Sequence, residues 1–128
     1  TLTITPLQLA LAWAALARSG ELIQPHLVAA IENDAGDMVI RLYEHVAVQT
    51  VEDWAAERIL EMLPQSAIAI EHSALAIADE QGNTTAWYLG LFPATQPRYA
   101  LVIVLEESDL PTVEAIGRQF ARSVSGSR

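Results

Sequence analysis

The sequence predicts an α+β domain, a mainly antiparallel β-sheet flanked by helices, and three observations carry that reading. Apolar residues make up 52% of the 128 and charged residues only 18%, a balance that packs and does not stay disordered. Three segments repeat their apolar residues at helical spacing. Between the second and the third, three extended runs follow one another through short turn-forming links, the order of an antiparallel meander.

The first helix is expected over residues 6–19. Thr5 can cap it, Pro6 stands where a missing N–H costs nothing, and Gln8 can reach back to the cap. Its middle, from Leu9 to Ala17, is apolar nearly all round, which predicts burial on most sides, and Gly20 is its left-handed stop. Residues 21–27 contain Pro25 and read as a loop. Val28-Ala29-Ala30-Ile31 is a short strand, Asn33-Asp34-Ala35-Gly36 a turn, and residues 38–45 the returning strand. Acidic residues after Thr50 start a second helix, with Trp54, Ile59, Met62 and Leu63 as its buried stripe and Pro64 as its stop.

The extended runs cover residues 68–78, 85–92 and 99–105, and the last is apolar enough for a central strand. Gln81-Gly82-Asn83 and Pro93-Ala94-Thr95-Gln96-Pro97 are the turns between them. A third helix over residues 111–124 carries Val113, Ile116, Phe120 and Val124 on one stripe, with Arg118 and Arg122 away from it, and should lie on the sheet. No repeat or linker divides the chain, so residues 1–128 read as one domain. An opening at Thr1 that runs straight into a helix signal marks it as part of a longer protein.

Sixteen acidic against seven basic residues give a formal charge of −9, which repels nucleic acid and anionic membrane surfaces. All seven basic residues are Arg. Lysine-dependent chemistry, such as a Walker A loop, a Schiff base or a Ser-x-x-Lys nucleophile within this chain, is therefore excluded. Without Cys there is no disulfide, thiolate nucleophile or thiolate-bound zinc. The most apolar stretch, residues 7–17, is shorter than the roughly 20 residues of a membrane span. His26, His45 and His72 lack the spacing of metal ligands, although Glu44-His45 and Glu71-His72 are adjacent pairs, so no metal or cofactor is expected. Trp13, Trp54 and Trp87 fall one per element at apolar positions and read as core. Glu106, Glu107 and Asp109 read as a strand end and a helix cap.

Two segments carry a resemblance. Leu2-Thr3-Ile4-Thr5-Pro6-Leu7-Gln8-Leu9-Ala10, followed by Gly20 and Pro25-His26-Leu27-Val28, is similar to a helix start of the penicillin-binding-protein transpeptidase family and the stretch after it. Ala86-Trp87-Tyr88-Leu89-Gly90-Leu91-Phe92-Pro93, with the run from Arg98 to Leu105, resembles that family's Ala-Trp strand and its hairpin partner. The resemblance implies the C-terminal part of the serine β-lactamase-like fold. It also implies a protein of peptidoglycan biology that works outside the cytoplasm, with any membrane anchor supplied by sequence upstream.

The same resemblance implies three motifs: a Ser-x-x-Lys, a Ser-x-Asn, and a Lys-Thr-Gly on the strand before the Ala-Trp segment. The first two would precede Thr1. At the third, His72-Ser73-Ala74-Leu75-Ala76 fits the register of Lys-Thr-Gly-Thr-Ala and keeps only its final Ala. His72 and Ser73 are thus the candidate remnant, with His72 a partial cation expected on the cleft-facing side near Thr85 or Trp87 and Ser73 a hydroxyl facing the cleft. No catalytic residue is expected here. The leading expectation is a non-catalytic transpeptidase-like module with a structural or interaction role. The alternative is the C-terminal part of an active serine D-Ala-D-Ala transpeptidase whose nucleophile lies upstream. The apolar surplus further predicts a protein partner or self-association, through a patch around Leu9, Trp13 and Leu16.

Overall fold

The computed structural model describes residues 3–41 and 47–125. Among them are three helices and seven strands in the order α1 (Pro6–Ala17), β1 (Glu21–Leu22), β2 (Ala30–Glu32), β3 (Met38–Arg41), β4 (Val48–Gln49), α2 (Asp53–Met62), β5 (Ile70–Ile77), β6 (Thr84–Phe92), β7 (Tyr99–Glu106) and α3 (Leu110–Ser125). Every strand pairing is antiparallel: β5, β6 and β7 form the main sheet in that order, and β1–β4 and β2–β3 are two-stranded ribbons. This is the expected α+β architecture.

Side chains alternate across a strand, and the sheet buries both of its faces. Leu89 and Leu91 of β6, with Ile70 of β5, meet Trp13, Leu9 and Leu16 of α1 and Leu60 and Leu63 at α2. The other parity, Ala86, Tyr88 and Phe92, meets Val113 and Ala121 of α3. The pattern makes three layers, with α1 and α2 on one face and α3 on the other.

The local signals hold where they are strongest. Thr5 Oγ1 accepts from Gln8 N at 3.2 Å while Gln8 Oε1 accepts from Thr5 N at 2.9 Å, a complete capping box. Gly20 takes φ +87° and its N–H donates to Ala15 O at 2.8 Å, closing α1. Asp109 Oδ1 accepts from Thr112 N at 2.8 Å, and the Thr112 side chain first, then this backbone bond, holds its carboxyl below the ordinary range.

Several expectations are corrected. Glu21 and Leu22 are not loop but pair with Gln49 and Val48, because the chain turns through Gly20 beside residues 48–51. The second strand starts at Ala30, and the part of the returning strand beyond Arg41, His45 included, lies outside the described residues. α1 is not buried on most sides: only Trp13 and Ala15 are buried, because one face meets the sheet and the other meets solvent. In α2 the inward stripe is Ala56, Leu60 and Leu63, whereas Trp54 is 69% exposed and Ile59 and Met62 also face outward. β7 is not central but an edge of the sheet, and it is apolar because α1 and α3 cover its two faces. In α3 the buried stripe is Val113, Gly117 and Ala121, with Ile116 and Phe120 half-exposed. The large ring of Tyr88 decides this, since a Cβ on Gly117 would stand 2.4 Å from its carbons.

Candidate functional site

β5 is the edge strand that carries the candidate remnant. Its residues pair with β6 so that His72 lies opposite Leu89, Ser73 opposite Tyr88 and Ala74 opposite Trp87. Pleating therefore sends the two candidates to opposite faces. His72 shares the α1 face with Thr85 and Trp87 but stands opposite Leu89 rather than beside either, and it is exposed. Trp87 Nε1–H donates to Thr85 Oγ1 at 2.8 Å on that same face. Ser73 turns towards α3, where its hydroxyl donates to Glu114 Oε1. Strand geometry thus separates an imidazole and a hydroxyl that sequence spacing set side by side.

On the α3 face the sequence reading overlooked a polar network. Glu71 is buried and accepts two hydrogen bonds, from Tyr88 Oη at 2.8 Å on Oε2 and from Arg118 Nε at 2.9 Å on Oε1, while Arg118 Nη2 forms an ion pair with Oε1 at 2.8 Å. Arg118 Nη2 also lies 3.5 Å from Glu114 Oε2, and Glu114 in turn holds Ser73. Arg118 was expected to point away from the sheet. It turns inward because a buried carboxylate without a counter-charge is costly. Burial first, and then the bond to Glu71, pushes the Tyr88 phenol well above its ordinary range, so it stays a neutral donor. The bond to Glu71 likewise holds the Arg118 guanidinium above its usual value.

This network lines a concavity of ≈ 220 Å³ at the outer edge of β5, with His72, Ser73 and Pro64 on its rim. Its chemistry is that of an anchor. Glu71, Tyr88, Arg118, Glu114 and Ser73 are all partnered, and Ser73 donates to a carboxylate already shared with a guanidinium, which fixes the hydroxyl and does not activate it. The only forward signal in the sequence was Glu114 and Arg118 at i, i+4. His26 is exposed, and Glu106, Glu107 and Asp109 sit at a strand end and a helix start as read. Among the described residues no group of three or more His, Asp or Glu is gathered for a metal, and no helix is long and apolar enough to cross a membrane.

Three antiparallel strands lie between a Thr5-capped helix and a C-terminal helix, with the Ala-Trp segment on the middle strand, the layout that the resemblance to transpeptidases implied. The chain belongs to the family of the penicillin binding protein transpeptidase domain, whose model matches residues 1–72, more than half of its length. That match ends at His72. No curated protein matches the sequence. Among solved structures, PBPA from Mycobacterium tuberculosis is similar with a TM-score of 0.81 at 18% identity, over 94% of this chain and 32% of that one. The D,D-transpeptidase domain of a peptidoglycan glycosyltransferase from Eggerthella lenta gives 0.75 at 22%, over 96% and 33%. The imipenem acyl-enzyme complex of penicillin-binding protein A from M. tuberculosis gives 0.78 at 21%, over 90% and 29%. These likenesses are of fold, and the chain spans about a third of the length of each.

Proposed function

We propose that this chain is a non-catalytic transpeptidase-type module of peptidoglycan biology, working outside the cytoplasm in a structural or interaction role. One observation carries the reading. At the β5 positions set against Lys-Thr-Gly, the chain has His72-Ser73-Ala74, and no lysine occurs among its 128 residues. A transpeptidase needs a fixed cation for the substrate carboxylate and an activated nucleophile. Here His72 is a solvent-exposed imidazole on one face, while Ser73 is tied to Glu114 on the other. Incubation with a fluorescent penicillin, followed by mass spectrometry, is expected to give no adduct. A stoichiometric mass increase on a serine of this chain would overturn the proposal.

The second reading, part of an active serine D-Ala-D-Ala transpeptidase, is favoured by its likeness to a protein solved as an imipenem acyl-enzyme, of which this chain spans 29%. A Ser-x-x-Lys in sequence upstream of residue 1 separates the two.

The interaction role rests on the outer side of α1. Of the residues expected to form a patch, Leu9, Trp13 and Leu16 all pack on the sheet, and Trp13 and Leu16 also line an apolar groove beside it. With these two, Leu11, Ala12, Leu22 and Val51 line the groove of ≈ 450 Å³, flanked by α1 and β1. Trp13 Nε1–H is buried without a hydrogen-bond partner. A second copy seated in this groove would remove the apolar surface from water. Sedimentation is expected to show a dimer at micromolar concentration that tightens with salt, since the two copies each carry −9. A monomer at every salt concentration refutes it.

A further inference from the structure

A second pocket, of ≈ 390 Å³, lies at the opposite end of α1 from its capping box, between the helix and the start of β7. Ala14 and Ala17 of α1 and Leu91 and Ala100 of the sheet line it with apolar surface. Its polar lining is supplied by Arg18 and Arg98. In a chain with sixteen acidic and seven basic residues, two of the seven converge on one pocket and no carboxylate lines it.

The two guanidinium groups are unequally engaged. Arg18 lies 3.3 Å from Glu21, but both side chains are nearly half exposed (47% and 45%), and an exposed pair of this kind contributes at most about 1 kcal/mol. Among the described residues Arg98 makes no ion pair, while its backbone N–H donates to Phe92 O at 3.0 Å and fixes where its side chain starts. The partial negative charge at the C-terminus of α1, about half a charge, and the Glu21 carboxylate beside Arg18 oppose an anion here, against two full positive charges, of which that of Arg98 is unpaired among the described residues.

We propose that this pocket binds an amphiphilic carboxylate, with its apolar body against the alanine and leucine floor and its carboxylate between Arg18 and Arg98. The volume suits a small ligand. Charge-assisted bonds from a guanidinium to a carboxylate supply the orientation, and burial of the hydrocarbon supplies the rest of the affinity. The site is remote from the polar network at the edge of β5 and does not rest on the function proposed above.

Titration of the isotope-labelled full chain with decanoate tests it. Amide shifts are expected at Ala17, Tyr99 and Ala100. Decanol should bind at least about tenfold more weakly, and Arg98→Gln and Arg18→Gln should each weaken decanoate by about tenfold while amide signals elsewhere stay unchanged. Equal binding of decanol, shifts confined to Leu11 and Val51, or no shift at millimolar decanoate would each overturn the proposal.

Discussion

Gly20→Ala is expected to cost about 3 kcal/mol or more, a large part of the roughly 5–15 kcal/mol that holds a domain together. Two costs add. At φ +87° an L side chain is disfavoured by about 1–2 kcal/mol. The new Cβ would also stand 1.9 Å from Val51 O and 2.8 Å from Val51 C, and these are backbone atoms that cannot swing aside. Moving them disturbs the junction at which Gly20 O accepts from both Thr50 N and Thr50 Oγ1 at 3.0 Å, the bonds that bring β4 beside the end of α1. Gly36→Ala is the internal control. It has φ +83° but nothing within 4 Å of its Cβ, so only the conformational cost of about 1–2 kcal/mol remains. Urea denaturation of the two variants decides it, and equal losses would show that the contact with Val51 contributes nothing.

The contrast between these glycines also shows what a sequence reveals. That Gly20 stops a helix is local information, and it was legible, as were the Thr5–Gln8 capping box, the meander of three strands and the Asp109 cap. Which residues crowd Gly20 is not local. The two-residue pairing of β1 with β4 depends on it, and so went unread. The stripes of α2 and α3 failed for a related reason. Each helix offers two apolar rows, and periodicity cannot say which row meets the sheet. In α2 the row with Ala56, Leu60 and Leu63 lies inward and leaves Trp54 outside. In α3 the row with Gly117 wins because only a residue without a side chain leaves room for the Tyr88 ring. At the candidate site His72 was expected near Thr85 or Trp87, and it shares their face but stands opposite Leu89. The destination of Ser73 depended on Glu114, far along the chain, and the burial of Glu71 depended on Arg118.

That last pair carries the other large effect. Arg118→Met should destabilise the protein by about 2–3 kcal/mol. Removing one partner of a buried ion pair costs about 3–5 kcal/mol, and here the Arg118 side chain is 43% exposed, so water reaching the vacated space lessens the loss, while Glu71 at 10% gains little hydration. Glu71→Gln alone should cost less, about 1 kcal/mol, because the amide oxygen still accepts from Tyr88 Oη and Arg118 keeps Glu114 and solvent. In the double variant Glu71→Gln, Arg118→Met no buried charge is left unpaired, so it should be more stable than Arg118→Met by about 1 kcal/mol or more. The two losses would then be strongly non-additive. Additive losses would mean that the carboxylate is already hydrated and that α3 is held only by Val113, Ala121 and the Tyr88 ring. The coupling matters beyond stability because Arg118 and Glu114 together hold Glu71 and Ser73, the residues on either side of His72. The polar side chains of β5 on the α3 face are thus committed to a helix of the same chain.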